Sequence, residues 1–399
     1  MKDMEERNIL FSIIRASLSK GPVPLEPVTD DIFQELKKHT ITALIAPVLS
    51  NLNMSDALRN EWKVTILQQI THHANCKYIQ DHFKINAPYV ILKGTTAAQY
   101  YPYPEFRTLG DIDIMTRHED FESTCNGFLV DGYKENTASS TEDFGRHRVF
   151  EKNNISIEVH AFFAMLNDPQ KAEYLDELII SNINTMHILP DLVNGLVLLE
   201  HINQHLEEGI GLRQIIDWMM FVEKCLPDEK WSEFEKMARN IGLEKLAVIV
   251  TRMCELYLGL SSHTWCNSVE TLLCEDLMQY ILASGNFGAK QSNENRLGAR
   301  LLLYSRTPGS FFRLLQERGL ANWSVLQKYI VLKPFAWFYQ IGRYIRNIFG
   351  RNHAMTELKS DIRVAKKRIA LFDELGVKQT SKGLAIYENG RYVKTYKRP

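Results

Sequence analysis

Apolar residues recur at helical spacing through the first 80 or so positions of the chain. One amphipathic stretch runs from Glu5 to Ser19, and Pro22, Pro24 and Pro27 then break the pattern. A second helix is expected to start at Asp30 or Asp31, with Ile32, Leu36, Ile41, Leu44 and Ile45 at helical spacing, and a third to run from about Ser55 to Phe83. At Ala87 the rhythm changes, because PYVILKG is a short apolar run closed by glycine, the pattern of a buried strand entering a tight turn. TTAAQYYP reads as a helix ended by Pro102 and Pro104, and TLGDIDIMT then alternates acidic and apolar residues with period two. Glu119 to Gly132 reads as a helix plus turn, Arg146 to Phe150 as a strand, Asn153-Asn154 as a turn and ISIEVHAFF as a second alternating strand. From Pro190 the chain is almost wholly helical, punctuated by Pro227, Gly242 and Gly259. Asn389-Gly390 between two alternating runs then signals a terminal hairpin. The whole is an α+β pattern in four segments: N-terminal helices (1–84), a strand-bearing core (85–188), a helical domain (189–350), and a C-terminal helix with a β-hairpin (351–399).

Period-two alternation puts Asp111 and Asp113 on one strand face and Ile112 and Ile114 on the other. Glu158 and His160 share a face of the later strand by the same rule. Carboxylates gathered in this way suit Mg²⁺, which takes oxygen ligands and keeps several waters. Two such ions, about 3.5–4 Å apart, stabilise both the attacking and the leaving oxygen of an in-line displacement at phosphorus. Gly94-Thr95-Thr96, leading into a helix, supplies a glycine turn whose backbone N–H groups can approach phosphates. An Asp-x-Asp pair alone is weak, since about one arises by chance in a chain of this length, and its ordinary meaning is a solvated strand face. The inference rests on the ordered set: strand, Gly-Thr turn, helix, Asp-Ile-Asp strand, Ile-Glu-Val strand.

Composition adds an asymmetry. The 399 residues carry a net charge of −1, which excludes a strongly basic or acidic protein as a whole. From Arg343 onward, however, 14 Lys and Arg face five Asp and Glu, a surplus of nine positive charges on a body of −10. That basic region is a candidate contact for a peripheral membrane surface or another anionic partner. Within it and just before it, KPFAWFYQIGRYIRNIFGR interleaves aromatics with cations, as a core stripe, a membrane-surface helix or a nucleic-acid-binding face would. The six cysteines are scattered without a Cys-x-x-Cys pair, so neither a zinc site nor a disulfide framework is indicated and reduced thiols are expected. Charges interrupt the apolar positions of the N-terminus, unlike a signal peptide, and no run approaches the roughly 20 apolar residues that span a bilayer. The expected location is cytoplasmic, at most peripheral to the membrane.

VILKGTTAAQYYPYPEFRTLGDIDIM, followed by ISIEVHAFF and later by EHINQHLEEGIGLRQIIDW, resembles the little-characterised bacterial nucleotidyltransferase family of the DNA polymerase beta type superfamily, over about residues 30 to 350. The shared pattern is Leu-Lys-Gly, an Arg shortly before Gly-Asp-x-Asp, a hydrophobic-Glu-hydrophobic-His strand, and a helical His…His…Leu-Arg…Asp segment. The resemblance implies a small mixed β-sheet with flanking helices, a pair of Mg²⁺ ions with Mn²⁺ as an alternative, and a nucleoside triphosphate substrate. It implies no acceptor. Carried over, Asp111 and Asp113 are metal ligands, Glu158 is the third carboxylate, and Gly94 and Thr95 form the phosphate turn. Thr95 replaces the superfamily's commoner Ser, which keeps the hydroxyl on a stiffer side chain. The interval from Gly94 to Asp111 is long for the superfamily, though it suits this family.

Several residues carry two readings. Lys93 and Arg107 flank the acidic pair and either balance charge at a leaving pyrophosphate or pair with aspartates for structure. His160 either orients a carboxylate, touches the nucleotide or is structural. His201 and His205 share a helix face, and Ile202 stands where the Glu of a zinc-binding His-Glu-x-x-His would be, which disfavours zinc; the resemblance extends to these positions and implies substrate or phosphate contact instead. Arg213 and Asp217, four apart, form an intrahelical ion pair or aim the guanidinium at a phosphate. Arg146, His147 and Arg148 are a basic turn that either faces nucleotide or acceptor or is simply solvated. The expected function is transfer of a nucleoside monophosphate to a hydroxyl acceptor: a sugar, a peptide or protein, or an RNA end. The alternatives are a catalytically silent nucleotide-binding scaffold and a phosphoryl transferase using the same metals. Three clustered carboxylates repel without a cation, which argues against the silent reading.

Overall fold

The computed structural model describes residues 4–136, 146–166, 168–206, 209–286, 338–339, 342, 366–377, 383–388 and 391–397. The chain divides into two compact units, one of Met1–Lys290 with Ala385–Lys394 and one of Gln291–Leu384 with Thr395–Pro399. The first begins with α1 (Met4–Ser17), α2 (Asp30–Lys38) and α3 (Asp56–Asp81), the last capped by the Ser55 hydroxyl, which accepts from the Leu58 N–H. α2 is shorter than its apolar spacing suggests. Thr40 takes a φ of 55°, which ends the helix, and Leu44 and Ile45 continue in a 3₁₀ turn, Ala43–Ile45, that is still buried.

The strand-bearing core follows: β1 (Tyr89–Leu92), α4 (Gly94–Ala98), β2 (Ile112–Thr116), α5 (Phe121–Val130), β3 (Lys134–Glu135), β4 (His147–Lys152) and β5 (Ile155–His160). These strands make one mixed sheet in the order β1-β2-β5-β4-β3, with β2 and β5 parallel and the other pairs antiparallel. The β4–β5 hairpin turns on Asn153 and Asn154, both at positive φ (53° and 61°), the conformation that matches hairpin twist and that Asn tolerates. α4 covers five residues, not the full run to Pro102. One sheet face is closed by an apolar cluster that includes Ile112, Ile114, Phe150, Ile157 and Val159 with Phe121, Cys125 and Phe128 of α5 and Cys76 of α3. Burying each large side chain there contributes roughly 1.5–3 kcal/mol. Asp113, alternating with Ile112 and Ile114, belongs to the opposite face.

Helices α6 (Pro169–Ser181), α7 (Asp191–Leu206), α8 (Leu212–Cys225), α9 (Asp228–Ile241), α10 (Glu244–Tyr257) and α11 (Thr271–Ser284) complete the unit. α7 and α8 are buried nearly all round, as central helices must be. They approach closely at Gly195, where a Cβ would overlap the Phe221 ring. α1 returns to this layer: Arg7 forms a two-pronged ion pair with Glu275 of α11. In the second unit a helix at 366–374 buries Leu371 and Phe372, with Arg368 over the Phe372 ring. β6 (Gly383–Glu388) and β7 (Arg391–Lys397) pair as the terminal hairpin. Its Asn389-Gly390 turn lies outside the described residues, as does nearly all of the aromatic and cationic stretch from Lys333 to Arg351. Among the described residues no helix is long and apolar enough to cross a membrane.

Candidate active site

The site is assembled at the ends of β1, β2 and β5. β1 ends at Leu92, and Lys93 turns the chain with φ 51° and ψ −139°, a conformation that non-glycine residues adopt only when their surroundings enforce it. Gly94 continues the turn at φ 39°, and a Cβ on it would stand 3.9 Å from the Asp111 carbonyl oxygen, so the turn and the acidic segment are in contact range. Thr95 donates to Gln80 of α3 (3.0 Å) and Thr96 closes the turn on the Lys93 carbonyl (2.5 Å).

Lys93 Nζ lies 2.8 Å from Asp113 Oδ1. His160 Nε2 lies 2.9 Å from the same oxygen and 3.5 Å from Glu158 Oε2. The register explains the convergence, since Asp113 stands opposite Glu158 on parallel β2 and β5, two residues before His160. Asp113 and His160 are almost fully enclosed, with side chains 3% and 2% exposed, whereas Glu158 is 24% exposed. Burial alone would raise the Asp113 carboxyl. The Lys93 ammonium and the His160 hydrogen bond outweigh it and hold the group below its ordinary value. The balance works in reverse for His160: burial opposes its protonation, and the hydrogen bonds to Asp113 and Glu158 overcome that and raise it. Glu158 is also lowered, burial and the Asp111 charge being outweighed by His160 and Lys93. Asp113, Glu158 and His160 each offer one ligand atom within 4.8 Å of the others, and they are the one such group among the described residues. Asp111 stands outside that group, immediately before β2, and acts on Lys93 and Glu158 through its charge.

The helical layer contributes a second wall. Arg107, on the segment leading to Asp111, sends Nε and Nη2 to Asp217 of α8 at 3.0 and 2.6 Å, and Tyr101 donates to the same carboxylate at 2.8 Å. Asp217 therefore accepts its hydrogen bonds from Arg107 and Tyr101, not from Arg213 one turn earlier. Arg213 Nη1 reaches only the Thr108 carbonyl, at 3.4 Å. His201 and His205 of α7 meet edge to face, centroids 4.7 Å apart. Burial first, and then the charges of Lys93, His205, Arg213 and Arg107, push His201 well below its ordinary value, so its ring is neutral.

The sequence model of a family described as "Uncharacterised nucleotidyltransferase" matches residues 28–259, more than half of the chain. The chain belongs to this nucleotidyltransferase family. No curated protein and no solved structure matches it. The matched span takes in α2 through α10, so both walls of the site lie within the nucleotidyltransferase region.

Within that region the basic turn expected at Arg146–Arg148 divides. Arg148 pairs with Glu135 and Glu122, Arg146 donates to the Phe163 carbonyl, and the His147 ring lies 5.2 Å from that of His160. Two carboxylates that the sequence reading passed over shape the exit from β5. Asp176 accepts the N–H groups of Phe163 and Ala164, and Glu200 accepts that of Met165, all at 2.8–3.0 Å. The signal for Glu200 was present in the sequence: it is an acid directly after the apolar run Leu196 to Leu199 of α7.

Proposed function

We propose that this chain is a Mg²⁺-dependent nucleotidyltransferase of the DNA polymerase beta type, moving a nucleoside monophosphate from a nucleoside triphosphate to a hydroxyl acceptor. The observation that carries the reading is Asp113 and Glu158 in register on adjacent parallel strands, in a chain of a nucleotidyltransferase family. The donor set fits the metal, because two converging carboxylates with a third, Asp111, beside them offer the hard oxygen ligands Mg²⁺ prefers. Asp111, Asp113 and Glu158 would hold it. When bound, Mg²⁺ supplies charge neutralisation at the phosphorus undergoing attack and at the leaving oxygen.

The remaining work falls to the chain's own groups. Glu158, more open than Asp113, is positioned to accept the acceptor's hydroxyl proton, and its lowered pKa keeps it ionised for that step. His160 donates to Asp113 and fixes its orientation. Lys93 balances the buried acid and, with the Gly94-Thr95 turn, faces the phosphates. Arg107, committed to Asp217, braces the segment that presents Asp111. The catalytic residues are thus carried by 85–188 and faced by the helices α7 and α8.

The test is incubation of the purified protein with α-labelled or γ-labelled nucleoside triphosphates, Mg²⁺ or Mn²⁺, and acceptors bearing sugar, protein or RNA hydroxyls. Metal-dependent label transferred from the α position is the expected result. Label from the γ position alone assigns phosphoryl transfer instead, and no label from either, with Asp113→Ala behaving as the parent, removes both enzymatic readings.

A further inference from the structure

The guanidinium of Arg213 is a half-buried charge held by one weak hydrogen bond among the described residues. Its Nε is fully enclosed and has no hydrogen-bond partner among the described residues, and its single hydrogen bond there is the long one to the Thr108 carbonyl. Arginine does not escape by losing a proton, so a guanidinium edge that is enclosed, with Asp217 and Asp111 acting on it only through space, carries an electrostatic cost. The carboxylate one helical turn away, Asp217, is spent on Arg107 and Tyr101. Asp111 reaches Arg213 only as a charge acting through space.

Position indicates what the anion is. Arg213 Nη1 lies 4.0 Å from where a Cβ on Gly110 would stand, and a Cβ on Gly94 would stand 3.9 Å from the Asp111 carbonyl oxygen, so both border the Gly110-Asp111 segment. His201 of α7, lowered by burial first and then by charges that include Lys93 and Arg213, adds a neutral ring to the same layer. Two cations from different layers, Lys93 at the end of β1 and Arg213 on α8, thus flank the turn and the acidic segment, Lys93 paired with Asp113 and Arg213 without an ion-pair partner among the described residues. A guanidinium fork matches tetrahedral oxyanions two oxygens at a time, which suits it to phosphate.

We infer that Arg213, with His201 beside it, is the subsite for the phosphate chain of the substrate, so that the helical layer and not the sheet alone grips the portion beyond the α-phosphate. The inference rests on the reading of the centre as a nucleotidyltransferase site and extends it: recognition runs through the phosphate chain. A ligand that carries the chain without a nucleoside is held, and a nucleoside monophosphate gains nothing from Arg213.

The experiment is calorimetric titration of the full-length protein with inorganic tripolyphosphate, and separately with AMP, for the parent, Arg213→Gln and Arg213→Lys. Circular dichroism and thermal melting of each variant check that it is folded. The expected result is that Arg213→Gln weakens tripolyphosphate binding about tenfold or more, the size of a charge-assisted hydrogen bond. Arg213→Lys retains an intermediate affinity, and AMP binding is unchanged in both. Equal tripolyphosphate affinity in parent and folded Arg213→Gln overturns the inference, as does an equal loss for AMP. α-Label transfer measured alongside separates the two levels of claim. Arg213-dependent tripolyphosphate binding without transfer leaves the subsite standing and removes the enzymatic reading, whereas transfer with Arg213→Gln binding as the parent does the reverse.

Discussion

Asp113 is a carboxylate whose ionisation depends on its neighbours. Removed from water, it stays charged because Lys93 and His160 share its Oδ1. Each partner is also buried and depends on Asp113 in turn, so the three residues form one electrostatic unit. Replacing Lys93 by Met removes one of two compensating cations and leaves the buried acid with His160 alone, a change that should cost up to about 3–5 kcal/mol. Urea denaturation of Lys93→Met without metal should show that loss, and added Mg²⁺ should recover part of it by supplying the missing charge. A variant as stable as the parent in the absence of metal would contradict this account of Asp113. Asp113→Asn keeps the shape and removes the ligand charge. Metal-dependent transfer should then fall by about a thousandfold or more, since several kcal/mol of transition-state stabilisation are lost. A loss of less than tenfold in the labelling assay would remove Asp113 from the metal site.

Elements whose residues carry their own local signal were readable from the sequence. Alternation gave β2 and β5, the Asn-Asn pair gave the hairpin turn, and Ser55 with the following helical run gave α3. Pairing between elements was not readable. β2 and β5 are distant in sequence, and nothing local to either says that they lie parallel with Asp113 opposite Glu158. Arg213 and Asp217 show the same difficulty more sharply. Their spacing of four offers a complete local explanation, and the true partner of Asp217, Arg107, arrives from more than 100 positions away. That long-range pair fastens the segment leading to Asp111 onto α8, and it is almost wholly enclosed, with side chains 4% and 1% exposed. Asp217→Asn leaves the Arg107 charge buried and should cost about 3–5 kcal/mol, whereas Arg107→Met with Asp217→Leu, which removes both charges, should recover most of the loss. Equilibrium denaturation of the single and double variants measures both. A double variant as weak as the single would mean the pair is held for something other than charge balance.

At the scale of the whole unit, sheet and helical layer are joined by polar groups as well as by apolar packing, and this makes the fold sensitive to pH. The chain leaving β5 passes Phe163, Ala164 and Met165, whose N–H groups are received by Asp176 of α6 and Glu200 of α7. Burial pushes the Asp176 carboxyl up to about 7, against the two N–H donors and Arg146, which favour its charged form, and with the help of Glu200, which disfavours it. An unfolded aspartate titrates near 4, so the folded chain binds the proton more tightly than the unfolded one between about pH 4 and pH 7. The sign follows: the stabilisation from this group is complete below about pH 4, declines as pH rises through that window and is gone above about pH 7. The upper bound is on the order of 4 kcal/mol. Asn at this position can still accept both N–H groups through its amide oxygen but has no proton to lose. Asp176→Asn should therefore show a flatter stability profile between pH 5 and pH 8, read by urea midpoints, and gain on the parent at the alkaline end. Parallel profiles would mean that Asp176 is ionised throughout, with its N–H donors and Arg146 outweighing burial. The consequence for activity follows from chain continuity. The latched loop begins three residues after His160, so alkaline loosening of the latch acts on the strand that carries Glu158 and His160.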